Sequence, residues 1–453
     1  MPGNLTTTEL DAAIQAGEID TVIVAFPDAQ GRLVGKRVSA RFWRDEVLPH
    51  GAEACNYLLS VDVDLNTVDG YAMSSWETGY GDMMLRPDVT TLRRIPWQPG
   101  TALVFADLAW GHEAEDAVGQ SPRGILNAQR ARLAADGLSA YAGTELEFIV
   151  FDDTYREAWA KRYDGLTPAT DYNVDYNLLA TTRLEPLLRD IRVGMEGAGL
   201  YCEGVKGECN FGQQEIAFRY AEVLETADNH TLYKNGAKEI ADRHGKSLTF
   251  MAKFNEREGN SCHIHLSVRG EGGEAVMAGG GAHGFSPFME HWIAGVLATL
   301  REFTLLYAPT INSYKRFAKG SFAPTGVAWG VDNRTCALRV VGHGSSLRVE
   351  NRVPGGDVNP YLALSAIIAG GLHGVRNQLP LPAPLTGNAY DSDVEHLPTS
   401  LPEAARLFAA SEVAREAFGD EVVAHYLNQA RIEVEAFEAA VTDWERIRGF
   451  ERL

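Results

Sequence analysis

Two periods of apolar residues alternate along the chain, and the switches between them mark out its elements. Residues 5–17 have helical spacing, with Thr6 to Thr8 as caps and Gly17 as a stop, and predict a short helix. Residues 20–26 (DTVIVAF), the turn PDAQG and residues 32–38 predict a β-hairpin. Strands are expected at 55–64 and 101–108, separated by a long ordered loop at 66–87 that is rich in Gly, Tyr, Met and Trp. Ser121-Pro122 pairs a cap with a proline at the first helical position and opens a helix that stops at Gly137. After it come a strand at 143–151, a helix at 183–196, a turn into a strand at 208–220 and an amphipathic helix at 223–244. Strands at 247–254 and 261–268 follow, then a helix from Ser286-Pro287 to about residue 306. Strands at 325–329, 336–341 and 347–353 precede a helix opened by Asn359-Pro360, a loop near 380–402 and two closing helices. The expected organisation is a small β-rich domain over 1–110, a linker at 111–119 and an α+β domain over 112–453.

Three of these strands bury one face and crowd the other with polar groups. In GTELEFIVF (143–151), Leu146, Phe148 and Val150 share one face, and Glu145 and Glu147 lie side by side on the other. Two carboxylates at that separation repel by ~4 kcal/mol at an effective dielectric near 20. Either the strand is an exposed edge with both groups solvated, or a cation that takes oxygen ligands, Mg²⁺ or Mn²⁺, removes the conflict. In SCHIHLSV (261–268), His263, His265 and Ser267 share a face; in LRVENRV (347–353), Arg348, Glu350 and Arg352 do. A lone histidine on a strand is more often structural than a ligand. Three such strands facing one cavity would supply carboxylates, imidazoles and guanidinium forks together. Glu208 and Glu215 lie seven apart, which puts them on opposite faces of a straight strand; the intervening glycine allows the chain to bend and bring them together.

Composition narrows the partners. The chain has 453 residues and a formal net charge of −20, which argues against non-specific nucleic-acid or anionic-membrane binding. Its five cysteines are scattered without a CxxC pair, its first residues lack a secretion signal, and no apolar run is long enough to span a bilayer. A cytoplasmic protein is expected. Against the acidic background, NSYKRFAKGSFAP (312–324) and DNRTCALR (332–339) concentrate basic residues suited to an anionic substrate. With no P-loop, dinucleotide fingerprint or nucleophile elbow in the chain, phosphate chemistry would fall to metals and arginines.

The motifs GTELEF, ECNFGQQEI, GKSLTFMAK, NSCHIHLS, NSYKR, NRTCALR and RVENRVPGGDVNPYL occur in the order found in type I glutamine synthetases, and the chain resembles that family over nearly its whole length. The resemblance implies a β-grasp-like N-terminal domain, a large catalytic domain, and a homododecamer with active sites shared between subunits. It implies ATP and two or more Mg²⁺ or Mn²⁺ ions, with γ-glutamyl phosphate as intermediate. By that likeness Glu147, Glu208 and Glu215 hold one metal, and Glu145, His263 and Glu350 the other. Arg316, Arg334, Arg339 and Arg352 match catalytic positions, with Arg316 and Arg352 on glutamate and Arg334 and Arg339 on ATP phosphates. His265, Ser267 and Tyr220 match the nucleotide side, and Gly259 lies in the glutamate loop.

The departures are confined to the nucleophile side. The family's loop reads like PGYEAP and supplies a glutamate to the ammonium site; here KGSFAP (319–324) puts Phe322 in that place. Asp69 is only an approximate counterpart of the other ammonium group, and Glu258 opens an altered glutamate loop. Tyr71, Trp76 and Glu77 are further candidates to line an amine pocket. Tyr390 sits at the position adenylylated in many relatives, but the residues after it depart from the family pattern, which argues against that regulation. The resemblance is therefore to the γ-glutamylamide synthetase branch, which joins glutamate to an organic amine, with ethanolamine the first expectation and putrescine or spermidine next. Ordinary glutamine synthesis from ammonium and a non-catalytic regulatory homologue are the alternatives.

Overall fold

The computed structural model describes residues 3–111 and 116–453. Two sheets organise them. The first contains β1 (Thr21–Pro27), β2 (Leu33–Ser39), β3 (Ala52–Cys55), β4 (Asp82–Pro87), β5 (Arg93–Arg94) and β6 (Thr101–Ala109), in the order β2-β1-β6-β4-β3 with β5 on β6. β1 and β2 form the expected antiparallel hairpin, and β1 runs parallel to β6. The helix Thr7–Gln15 before it starts at Thr6, where Thr6 and Glu9 form a capping box.

The second sheet contains β7 (Leu138–Phe151), β8 (Cys202–Gly207), β9 (Gln213–Phe218), β10 (Ala221–Glu222), β11 (Ser247–Thr249), β12 (Cys262–Gly270), β13 (Trp329–Val331), β14 (Leu338–Val341) and β15 (Arg348–Asn351). Its order is β13-β14-β15-β12-β7-β9-β8, so the GTELEF strand is central and not an edge. The helices Leu178–Gly197, Val223–Arg243, Pro287–Thr299 and Pro360–Arg376 contribute to one hydrophobic core with the apolar residues of this sheet. Burying that face leaves the opposite, polar face of β7, β12 and β15 for chemistry. Mixed helix and sheet in this segregated form is an α+β fold.

The two sheets are held together by buried polar contacts. Arg123 donates to Asp228 at 3.1 and 3.0 Å, to Asp88 at 2.7 Å and to Asp107 at 2.5 Å. Tyr361 donates its hydroxyl to Asp228 at 2.6 Å.

Several expectations are corrected. The strand expected at 55–64 ends at Cys55, because Asn56 turns into a 3₁₀ segment and its amide donates to the Met73 carbonyl at 3.0 Å. The loop expected over 66–87 ends in β4, whose Met83, Met84 and Leu85 are buried between β3 and β6. A run of short helical turns, Ala40–Phe42, Trp43–Val47 and Leu48–His50, was not anticipated. Four helices, not two, follow the loop near 380–402: Leu401–Ala410, Glu412–Phe418, Asp420–Ala439 and Asp443–Gly449. Ser411 ends the first and caps the second through a 3.0 Å bond from Ala414 N, and Gly419 (φ 84°) separates the second from the third. Of the linker expected at 111–119, residues 112–115 lie outside the described residues.

Candidate functional site

Strand register gathers the polar groups into a band across the second sheet. Glu145 on β7 faces His263 on β12, and Glu147 on β7 faces Glu215 on β9. His265 on β12 faces Glu350 on β15, which in turn faces Arg339 on β14. At the other end Lys206 on β8 faces Glu215. Glu208 reaches the same place because the chain reverses at Gly212, whose φ is +72°. A Cβ there would lie 2.4 Å from the Val150 carbonyl oxygen, so the reversal needs glycine on both counts. Carboxylate oxygens of Glu147, Glu208 and Glu215 then lie within 4.8 Å of one another.

Repulsion within that triad is about 3 kcal/mol per pair at an effective dielectric near 20. Its local compensation is smaller. Glu147 accepts from Ser261 N at 2.7 Å and Gln213 Nε2 at 3.1 Å, yet burial still pushes its carboxyl up. Burial pushes Glu215 up to about 8 against the opposing pull of Lys206. Lys206 pairs with Glu208 and approaches Glu215 at 4.0 Å, but a partly exposed ion pair contributes no more than about 1 kcal/mol. Three oxygen donors and an uncompensated negative charge fit a divalent cation.

The other acidic centre is arranged differently. Oxygen and nitrogen atoms of Glu145, His265 and Glu350 lie within 4.8 Å of one another. Nδ1 of His263 is 3.4 Å from Glu145 and 3.5 Å from Glu350, while its buried Nε2 has no protein partner. Burial, with the Arg352 charge, holds His263 down to about 4, so the imidazole is neutral and suited to ligate. His265 is bracketed by Glu145 at 2.9 Å and by Arg348, which donates to its Nδ1 at 3.2 Å. Burial would raise Glu145, but hydrogen bonds from His263 and His265 outweigh it and hold the carboxyl well below the usual range. Glu350 accepts from Arg352 at 2.5 Å and Arg339 at 2.9 Å.

Glu145 stands between two cavities. One, of about 310 Å³, is lined by the triad, Glu258, Gly259, His263, Phe322, Arg334, Arg339 and Arg352. The other, of about 420 Å³, is lined by Tyr141, Tyr220, His265, Ser267, Arg269 and Arg348. Most of the expected metal, phosphate and nucleotide residues thus divide between two adjoining chambers, while Glu350 is fully buried and lines neither.

Four expected residues fit less well: Arg316, Asp69, Tyr71 and Trp76. Arg316 is buried behind the wall, donating to Val353 O at 2.8 Å, Arg352 O at 3.0 Å and Ser261 Oγ at 3.2 Å. It braces the cavity and does not line it, and Gly259 packs on it so closely that a Cβ would lie 3.0 Å from its Cγ. Asp69 is not brought to either chamber within one chain: its carbonyl accepts from Asn428 and Arg431 at 3.1 Å each. Tyr71 is likewise packed on His425 at 4.7 Å, and Trp76 is exposed beside Tyr80. Tyr390 donates its hydroxyl to Ala323 O at 2.9 Å, which ties it to the Phe322 loop.

Sequence reasoning missed Lys206, Gln213, Asp175 and Tyr176, all of which line or bond into the first chamber. Lys206 lies two residues before Glu208, and its strand partner is Glu215; period-two reading of 202–207 would have found it.

The family model for the glutamine synthetase catalytic domain matches residues 119–448. The γ-glutamylethanolamide synthetase of Streptomyces coelicolor is 64% identical over 449 residues, covering 99% of this chain and 96% of that protein. The glutamate–isopropylamine ligase of a Pseudomonas species is 36% identical over 441 residues, with 96% of each chain covered. Among solved structures, a GmaS–ADP complex superposes with a TM-score of 0.85 at 28% identity, covering 98% of this chain and 100% of that one. With its two chambers, its acidic triad and these relatives, the chain belongs to the glutamine synthetase family.

Proposed function

We propose that this chain is an ATP-dependent carbon–nitrogen ligase that joins the γ-carboxylate of L-glutamate to ethanolamine, releasing ADP and phosphate. One observation carries the reading: Phe322 lines the same chamber as the acidic triad and the arginines. A phenyl ring there supplies no carboxylate counter-ion and cannot take a proton from ammonium, while the residues expected for metal and phosphate are all present in the chain. The 64% identical relative, named for γ-glutamylethanolamide synthesis, supports the same acceptor.

In this reading Glu147, Glu208 and Glu215 hold one divalent ion, and Glu145, His263 and Glu350 a second. Bound metal supplies charge neutralisation during phosphoryl transfer. Arg334, Arg339 and Arg352 present guanidinium groups to the anionic reactants, and Arg316 fixes the wall that orients Arg352 and Gly259. His265, Ser267 and Tyr220 line the nucleotide chamber. Asp69 serves a site completed by a neighbouring subunit in a ring oligomer, since its own chain keeps it away. The same reading divides the chain into working units at 1–110 and 112–453 and assigns it to the cytoplasm, in keeping with five free cysteines and, among the described residues, no helix able to cross a membrane.

A second acceptor class is favoured by one feature. Asp175 and Glu258 also line the chamber, and two carboxylates suit the second cation of putrescine or spermidine. Glutamate-dependent ADP release with ethanolamine, methylamine, putrescine, spermidine and ammonium tests both. Ethanolamine is expected to give the fastest turnover; putrescine in first place transfers the assignment to polyamines, and ammonium in first place overturns it.

A further inference from the structure

Each acidic centre of the site has its own partners. Glu350 has the arginines Arg339 and Arg352, and Glu145 has hydrogen bonds with two imidazoles. The triad has Lys206, and it differs from the others in kind. An arginine fork is rigid and held by several bonds; a lysine ammonium is a point charge on a flexible stem that is readily displaced. Lys206 projects from β8, which lies at the end of the sheet, and its side chain is 26% exposed. Its ammonium pairs with Glu208, lies 4.0 Å from Glu215 and sits 4.9 Å from the centre of the Tyr176 ring. Tyr176 is 72% exposed, its backbone is in the left-handed region at φ 55°, and it lines the chamber. The ammonium therefore has two seats: the carboxylates, and the face of an aromatic ring beside them.

We infer that Lys206 is a resident counter-cation of the Glu147–Glu208–Glu215 cluster, which a divalent ion displaces toward Tyr176. The inference rests on the proposed metal role of that triad. Without metal, the ammonium offsets part of the carboxylate repulsion and keeps the turn at Glu208 folded. Metal entry exchanges one cation for another, so the affinity of the site is set partly by how easily Lys206 leaves. Lys206 is thus a positioning residue: it acts through the carboxylates and sets metal loading.

The test is equilibrium Mn²⁺ binding to the full chain, followed by electron paramagnetic resonance, for wild type, Lys206→Met and Tyr176→Leu. Lys206→Met removes the competitor and is expected to bind Mn²⁺ roughly threefold more tightly, the scale of one partly exposed ion pair. Its metal-free form is expected to melt below wild type and to gain more in Tm on adding Mn²⁺. Tyr176→Leu removes the second seat and is expected to weaken Mn²⁺ binding, which keeps the test open should Lys206→Met fail to fold. Unchanged or weaker Mn²⁺ binding by Lys206→Met, or unchanged binding by Tyr176→Leu if only that variant folds, overturns the inference alone. Absence of Mn²⁺ binding by wild type overturns the metal reading of the triad and this inference with it.

Discussion

The strand-built half of the site and its loop-built half obey different rules. On the strands, hydrogen-bond register fixes which side chains meet: Glu145 with His263, Glu147 with Glu215, Glu350 with Arg339. A change there leaves a buried charge uncompensated. On the loops, Phe322 is 58% exposed with φ 59°, and its neighbours are held by local side-chain bonds such as Tyr390 to Ala323 and Ser321 to Ala318. Side chains in that region can change without unsettling the sheet. Under the proposed function, phosphoryl chemistry is anchored in the core architecture, while the choice of amine rests on a surface that can be rebuilt.

Breaking the strand half should have the largest effect. Glu147→Ala removes a central member of the triad, and turnover is expected to fall by at least about a hundredfold with every amine, measured as glutamate-dependent ADP release. An equal response across amines is the point, since this residue does not distinguish them. A variant that loses turnover with ethanolamine but keeps it with ammonium would break the division.

Gly212→Ala comes next. It forces a side chain into the left-handed region, against the Val150 carbonyl at 2.4 Å. A destabilisation of about 1–3 kcal/mol is expected by chemical denaturation, together with weaker metal binding, because the turn is what carries Glu208 to Glu147. Metal itself sharpens the comparison. Adding Mg²⁺ to wild type is expected to raise Tm by a few degrees, on the order of 2–5 °C, and to raise that of Glu147→Ala by clearly less, as read by differential scanning fluorimetry.

Much of the strand half was legible in the sequence. Alternating charge on GTELEF, SCHIHLSV and LRVENRV marked three polar faces, and the structure puts all three on neighbouring strands of one sheet. Period two survives because each strand buries its other face. The convergence of Glu208 and Glu215 was not legible from spacing; it depends on the long-range fit of Gly212 against Val150. The burial of Arg316 was likewise hidden, since a basic loop reads as exposed, and the carbonyls of Arg352 and Val353 with the Ser261 hydroxyl draw it inside. The Asp69 segment carries no periodicity, and its tie to Asn428 and Arg431 spans more than three hundred residues of sequence. The family reading, made from ordered motifs, is borne out by the relatives.

Changes on the loop half should be smaller and selective. Phe322→Glu is expected to raise turnover with ammonium by roughly two- to tenfold, with little change in Tm, because it restores a carboxylate at an exposed position. No gain with ammonium would place the selectivity elsewhere on the loops.

The central claim is tested most directly by kcat/KM for ethanolamine and for ammonium, measured side by side with ATP, Mg²⁺ and saturating glutamate. The account predicts a preference for ethanolamine of at least about a hundredfold, the range that one well-matched pocket supplies. Equal values, or a preference for ammonium, would contradict it.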